Sequence, residues 1–276
     1  MSAFAALQRV LPQHALSRLS GVLANSEWLS PFLIRLFDAI YSVDLAEAER
    51  RTFDQYHSFN DFFTRALVPS ARPLAPEPAL LSPADGTVSQ LGAIESGQLL
   101  QAKGIRYGLA SLLCDPLAER TFDGGWFATI YLAPSDYHRV HAPLGGTLVQ
   151  SIAVPGQLFS VNATTEASVE RLFCRNERLV MRFESTRGPY ALVMVGAMLV
   201  ASIETVFDSP RSPYREEQQS KHERAFARGA EVGRFLLGST TIVVVPRDMV
   251  TPSAKVAIGS RVRIGEALAA LTPARG

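Results

Sequence analysis

The sequence predicts an α+β protein: N-terminal amphipathic helices followed by a β-rich domain, either a sandwich or a partly closed barrel. Three observations carry this. Apolar residues recur at helical spacing through residues 1–67. Prolines 69, 73, 76, 78 and 83 then break the pattern. Beyond them, short β-branched runs alternate with Gly/Pro turn signals, the pattern of packed antiparallel strands.

In the helical part, Leu7, Val10 and Leu11 precede Pro12, and Leu16, Leu19, Val22 and Leu23 fall on one face. Ser30-Pro31 reads as an N-cap with proline at the first helical position, backed by an apolar stripe of Leu29, Phe32, Leu33, Leu36, Phe37 and Ile40. Asp44-x-x-Glu47 and Ser58-x-x-Asp61 read as capping boxes of two further short helices. Such helices either pack on the next domain or lie in a membrane interface. Trp28, Phe4, Phe32, Phe37 and the flanking arginines suit the second role, and the two roles can fall to different helices.

The prolines make residues 68–81 an extended connector laid along the surface, which places the domain boundary there. Strands are expected at Gly86–Leu91, Ala128–Leu132, Thr147–Ile152, Leu179–Phe183, Ala191–Val195, Met198–Val206 and Thr241–Val245. Gly104–Leu117 reads as a small helix. Asp208–Arg228, charged and without an apolar period, reads as an exposed loop. The stretch Arg234–Val245 reads as one strand ended by Pro246, with Gly238-Ser239-Thr240 in its middle.

Composition narrows the function. The chain has 276 residues, 47% hydrophobic and 19% charged, enough to fill a core, and its net charge of +1 gives no bulk attraction to nucleic acid. Cys114 and Cys174 lack metal-ligand spacing and read as buried thiols in a reducing compartment. No secretory signal is expected. The uncharged run Gly188–Ile203 has 16 residues, short of the ~20 that cross a bilayer, and its β-branched residues fit strands better. No transmembrane helix is expected, although the mean hydropathy is +0.10.

Few residues can do chemistry. Gly238-Ser239 reads either as a strand bulge or as a nucleophile beside an unobstructed peptide bond. His138 and His141 lie in Asp136-Tyr137-His138-Arg139-Val140-His141-Ala142-Pro143. Pro134–Tyr137 reads as a helical turn and Val140 onward as extended, so both rings can face one cleft, though a structural pair reads equally well. No third ligand completes a metal site. Asp85, in Ser82-Pro83-Ala84-Asp85-Gly86-Thr87-Val88, is an ordinary turn aspartate or, with His141 and Ser239, the orienter of a base and nucleophile. No Gly-x-Ser-x-Gly elbow supports a standard α/β-hydrolase.

With these stretches, Phe59-Asn60-Asp61-Phe62-Phe63-Thr64-Arg65, Phe159-Ser160-Val161-Asn162, Leu172-Phe173, Arg175-Asn176-Glu177-Arg178, Val195-Gly196-Ala197 and Gly229, Glu231, Gly233, Phe235 leading to Leu237-Gly238-Ser239-Thr240 form an ordered series. Through it the chain resembles phosphatidylserine decarboxylase of the bacterial membrane-associated type over nearly its whole length. Ala163, Cys174 and Leu237 depart from the family's usual proline, small residue and phenylalanine.

The resemblance implies a self-processing proenzyme. His141, oriented by Asp85, would deprotonate Ser239. Attack on the Gly238 carbonyl and elimination would then leave a β-chain, residues 1–238, and an α-chain, residues 239–276, starting with a pyruvoyl group made from Ser239. That group would form a Schiff base with phosphatidylserine and release phosphatidylethanolamine, without metal or pyridoxal phosphate. His138 or His141 would supply the proton that quenches the carbanion, His138 being favoured. The implied partners are phosphatidylserine in the bilayer, the membrane surface, the paired cleaved chains and a second copy in a homodimer, with no nucleic acid. The implied location is peripheral, on the cytoplasmic face of the cell membrane. Three alternatives stay open: a pyruvoyl decarboxylase of a soluble amine, a membrane-docked binding module that does not process, and a serine hydrolase using Asp85, His141 and Ser239.

Overall fold

The computed structural model describes residues 13–197, 203–210, 212–236 and 240–273. Helices α1 (Gln13–Ala24), α2 (Ser30–Tyr41) and α3 (Phe59–Phe63) make the N-terminal region. Pro31 opens α2, and Ser42 closes it in a left-handed conformation (φ 51°), its N–H donating to the Asp38 carbonyl. Ser30 does not cap the helix: fully buried, it donates to the Ser26 carbonyl at 2.7 Å and accepts from the Phe59 N–H at 2.8 Å, tying α2 to α3. Ser58 caps α3 as expected, accepting from the Asp61 N–H at 3.1 Å. Asp44 caps no helix. It folds an Asx turn onto the Ala46 N–H, and Glu47 is drawn to Arg72 and Arg263. Ile34, Phe59, Phe62 and Phe63 form a small core around the Phe37 ring.

Strands β1 (Ala79–Leu81), β2 (Gly86–Ala93), β3 (Gln98–Ala102), β4 (Ile105–Gly108), β5 (Trp126–Tyr131), β6 (Arg139–His141), β7 (Gly146–Val154) and β8 (Arg178–Ser185) follow. After them come β9 (Gly188–Val195), β10 (Ile203–Thr205), β11 (Gln218–Phe226), β12 (Glu231–Phe235), β13 (Thr240–Val245), β14 (Val250–Pro252), β15 (Arg261–Val262) and β16 (Ala267–Leu271). The main sheet is antiparallel in the order β11-β7-β8-β9-β13-β5-β2-β15. β11 and β15 are its edges, so no closed barrel forms. Two three-stranded sheets, β10-β12-β6 and β1-β16-β14, accompany it.

Alternation along the central strands fills two cores, one on each face of the main sheet. Val88, Ile130, Val243 and Met194 point to one, and Phe127, Ile242, Val244 and Val193 to the other. Every residue of β13 is buried, which is why it carries an unbroken apolar run.

Four expectations change. The connector ends as strand: Leu80 and Leu81 are fully buried and β1 pairs with β16. Gly104, at φ +79°, turns a β3–β4 hairpin, so a helix exists only at Leu109–Leu113, followed by another at Ala118–Phe122. The charged stretch after Asp208 contains β11, paired with β7. Its exposed Glu223 and Arg224 are the charges of a sheet edge, and these hid the strand. The single strand expected over 234–245 is two strands of two sheets, β12 and β13.

Candidate active site

One row of residues crosses the main sheet at one end: Thr87, Tyr131, Thr240, Val195 and Arg178 are successive cross-strand partners. The chain segments just beyond that row carry most of the motifs singled out above. Asp85 precedes β2, His138 follows β5, Gly196 follows β9, and Glu177 precedes β8. The Asn176 side chain binds these segments together, donating to the carbonyls of Phe159 and Gly196, both at 2.8 Å.

His138 is fully buried. Its Nδ1 lies 2.8 Å from the Asp136 carbonyl, and its Nε2 is buried without a partner among the described residues. A carbonyl can only accept, so Nδ1 carries the hydrogen and Nε2 a free lone pair. Burial pushes the ring's pKa down to about 3, against the Asp136 hydrogen bond, and the Arg65 charge lowers it further. The ring packs on Phe63 of α3 with centroids 4.0 Å apart. The turn before it is pinned by the Ala133 N–H on Asp136, by Arg261 on the same carboxylate at 2.5 Å, and by Arg65 on the Ser135 carbonyl at 3.0 Å.

His141, on β6, repeats this geometry. Its Nδ1 lies 2.9 Å from the Gly229 carbonyl, and Nε2 is buried with no partner among the described residues. Burial lowers its pKa, while the Gly229 hydrogen bond opposes the shift. The ring is therefore a neutral base with its lone pair on Nε2.

Asp85 does not bond to His141. Its carboxylate accepts Arg72 Nε at 3.0 Å on both oxygens, Arg72 Nη2 at 2.5 Å and the Ile264 N–H at 2.8 Å. The two residues are joined instead through the backbone, where the His141 N–H donates to Pro83 at 2.8 Å. A cation reaching Asp85 before His141 does accounts for this. Arg72 lies in the proline-rich connector, where nothing in the sequence marked it. Arg65, Asp136 and Tyr137 stood inside recognised motifs, but without an assigned role.

Gly238 and Ser239 lie outside the described residues. On one side of them, the Phe235 N–H donates to the His138 carbonyl at 2.9 Å. On the other, Thr240 sits between Tyr131 and Val195 in the centre of the main sheet. Among the described residues, no three His, Cys, Asp or Glu side chains are grouped as metal ligands.

A family model described as phosphatidylserine decarboxylase matches residues 59–270, and a second, described as PSD, matches residues 3–42. The chain is 51% identical over 272 residues to the phosphatidylserine decarboxylase proenzyme of Pseudomonas fluorescens, covering 95% of this chain and 94% of that one. It is 49% identical to the proenzyme of Psychrobacter arcticus, covering 98% and 99%, and 49% identical to that of Pseudomonas aeruginosa, covering 96% of each. Matched along almost its whole length, this chain belongs to the phosphatidylserine decarboxylase family.

Proposed function

We propose that the chain cleaves itself between Gly238 and Ser239 and then decarboxylates phosphatidylserine at a membrane surface. One observation carries the reading. Residues 236–239 must bridge from β12, beside His138, to β13 in the main sheet, a span of at most about 18 Å over five Cα steps. Two imidazoles whose buried Nε2 atoms have no partner among the described residues lie at the two ends of β6, the strand that pairs with β12.

In cleavage, His141 Nε2 takes the Ser239 hydroxyl proton and the oxygen attacks the Gly238 carbonyl, shifting the acyl group from nitrogen to oxygen. General-base help of this kind contributes ~10²–10⁴-fold. Elimination of the ester leaves the Gly238 carboxylate and dehydroalanine. Water replaces the nitrogen, which departs as ammonia, and a pyruvoyl group remains. Asp85, held by Arg72, acts on His141 through its field and the shared backbone.

The residues suit such a group, because two imidazoles whose Nε2 has no partner among the described residues lie on or next to the strand that pairs with β12, just before the bond. The chemistry such a group would supply is a carbonyl for the substrate amine and an electron sink as carbon dioxide departs. The neutral tautomer of His138 gives it both halves of the proton transfer. With burial holding the ring's pKa at about 3, Nε2 carries a proton only transiently, as it passes to the α-carbon.

Phosphatidylserine cannot be drawn into water, since each exposed CH₂ costs ~0.8 kcal/mol. The exposed apolar residues of α1, α2 and the turn between them suit docking at a bilayer: Trp28 in that turn is 87% exposed and Phe32 66%, and Val22 and Ile40 are exposed as well. Phe37 turns inward instead, and Phe4 lies outside the described residues. No described helix is long and apolar enough to cross a membrane. Intact mass under denaturing conditions tests the whole reading. Two chains split after Gly238, the smaller lighter by one ammonia than a serine-terminated peptide, are expected; one full-length chain would overturn it.

A further inference from the structure

A polar cavity of about 400 Å³ lies where the helical region meets the β-rich region, with Ser42, Arg65, Arg72, Asp85, Tyr137 and Arg261 on its walls. Its arginines are not equivalent. Arg72 is neutralised by Asp85 and Glu47, Arg263 by Glu47, and Arg261 by Asp136. Arg65 makes no ion pair with any described carboxylate. It is only 4% exposed, its Nη2 donates to backbone carbonyls alone, and its Nε is buried without a partner among the described residues. A guanidinium taken out of water without a counter-ion is strongly unfavourable, and the planar fork suits a bidentate oxyanion.

We propose that Arg65 seats the phosphodiester of the substrate headgroup in this cavity, with the reacting amine directed toward His138. The inference rests on the decarboxylase reading above and adds the subsite to it. Position supports it. Tyr137, on the cavity wall, adjoins His138, and Phe63, two residues before Arg65, packs on the His138 ring. Ser42, which closes α2, lines the cavity, and Ile40, two residues before it, is exposed. The substrate has two anionic groups, and the phosphate is the productive one to bind. A cation held on the carboxylate would stabilise charge that must disappear as carbon dioxide leaves, whereas the phosphate keeps its charge throughout. The exposed carboxylates Asp44 and Glu266 at the rim oppose a free anion weakly, through water.

Calorimetric titration of the full chain with glycerophosphoethanolamine, which has the phosphodiester but no carboxylate to lose, tests this. Binding is expected, weakened about tenfold or more in Arg65→Gln and partly regained in Arg65→Lys, with ethanolamine alone not binding. Removing a rim charge with Asp44→Asn should tighten binding about twofold. Wild-type affinity in Arg65→Gln, or no binding to the wild type, would overturn the proposal. Inorganic phosphate binding as tightly as the phosphodiester would make this a free-phosphate site and overturn the headgroup as its occupant. If Arg65→Gln does not fold, Asp44→Asn decides, because unchanged affinity there places the phosphate elsewhere. Intact mass of the same samples reports self-cleavage separately, so the failure of cleavage and the failure of binding are told apart.

Discussion

At His141 a single hydrogen bond decides what the ring can do. The Gly229 carbonyl fixes the proton on Nδ1 and leaves Nε2 bare, which is the tautomer a general base needs. His141→Gln should therefore leave a full-length chain by intact mass. His138→Ala should still cleave but lose decarboxylation, by at least about 10²-fold if proton transfer is its task. His138 also makes stability depend on pH. Its pKa is lowered by burial to about 3 from an ordinary 6.5, so between those values the unfolded chain binds a proton that the native chain does not. Stability from its neutral burial is present above pH 6.5 and is lost as pH falls toward 3. Relative to His138→Phe, which keeps the contact with Phe63, the wild type should lose ~2 kcal/mol between pH 7 and pH 5 in urea unfolding. Both histidines were legible as candidates from their motif. Their tautomers were not: the Asp136 carbonyl reaches His138 only through the shape of the turn they share, and the Gly229 carbonyl comes to His141 from the distant β11–β12 turn.

Elements decide how closely the reacting groups approach. Gly86 opens β2 against β5, and a Cβ there would stand 2.3 Å from the Tyr131 carbonyl oxygen. Gly86→Ala must push β2 away and carry Asp85 with it, at a cost of ~1–3 kcal/mol. Slower cleavage in a mass time course, together with a lower unfolding midpoint, is the expected result. The aspartate of an Asp-Gly turn pair was visible in the sequence as a turn; the reason for the glycine is the neighbouring strand. At α1 and α2 the division is between faces. Ile34 and Phe37 fill the helical core, while Val22, Trp28 and Phe32 stay outside it. Replacing those three with serine should abolish flotation with phosphatidylserine liposomes and leave the thermal midpoint almost unchanged, since surface changes are worth within about ±0.5 kcal/mol each. Apolar spacing identified these helices, but could not say which side was covered, because that depends on where α3 packs.

For the molecule as a whole, cleavage after Gly238 would free residues 239–276 covalently without freeing them physically. β13 is paired on both sides and wholly buried, β15 pairs with β2 and β16 with β1, and Arg261 and Arg263 reach back to Asp136 and Glu47. The two pieces should co-elute on native size exclusion and separate only in denaturant. The sequence by itself determined the order of helices then antiparallel strands, most strand positions, and the residues with the means for chemistry, since apolar period, turn residues and motif content are local properties of a chain. The edge strand β11 escaped it, because at an edge charge replaces alternation. What only the tertiary structure decided is non-local: the division of one expected strand into β12 and β13, the capture of Asp85 by Arg72, and the burial of Arg65 with no ion pair to a described carboxylate. Each of these depends on which distant segment arrives beside a residue, and neighbouring letters carry no record of that.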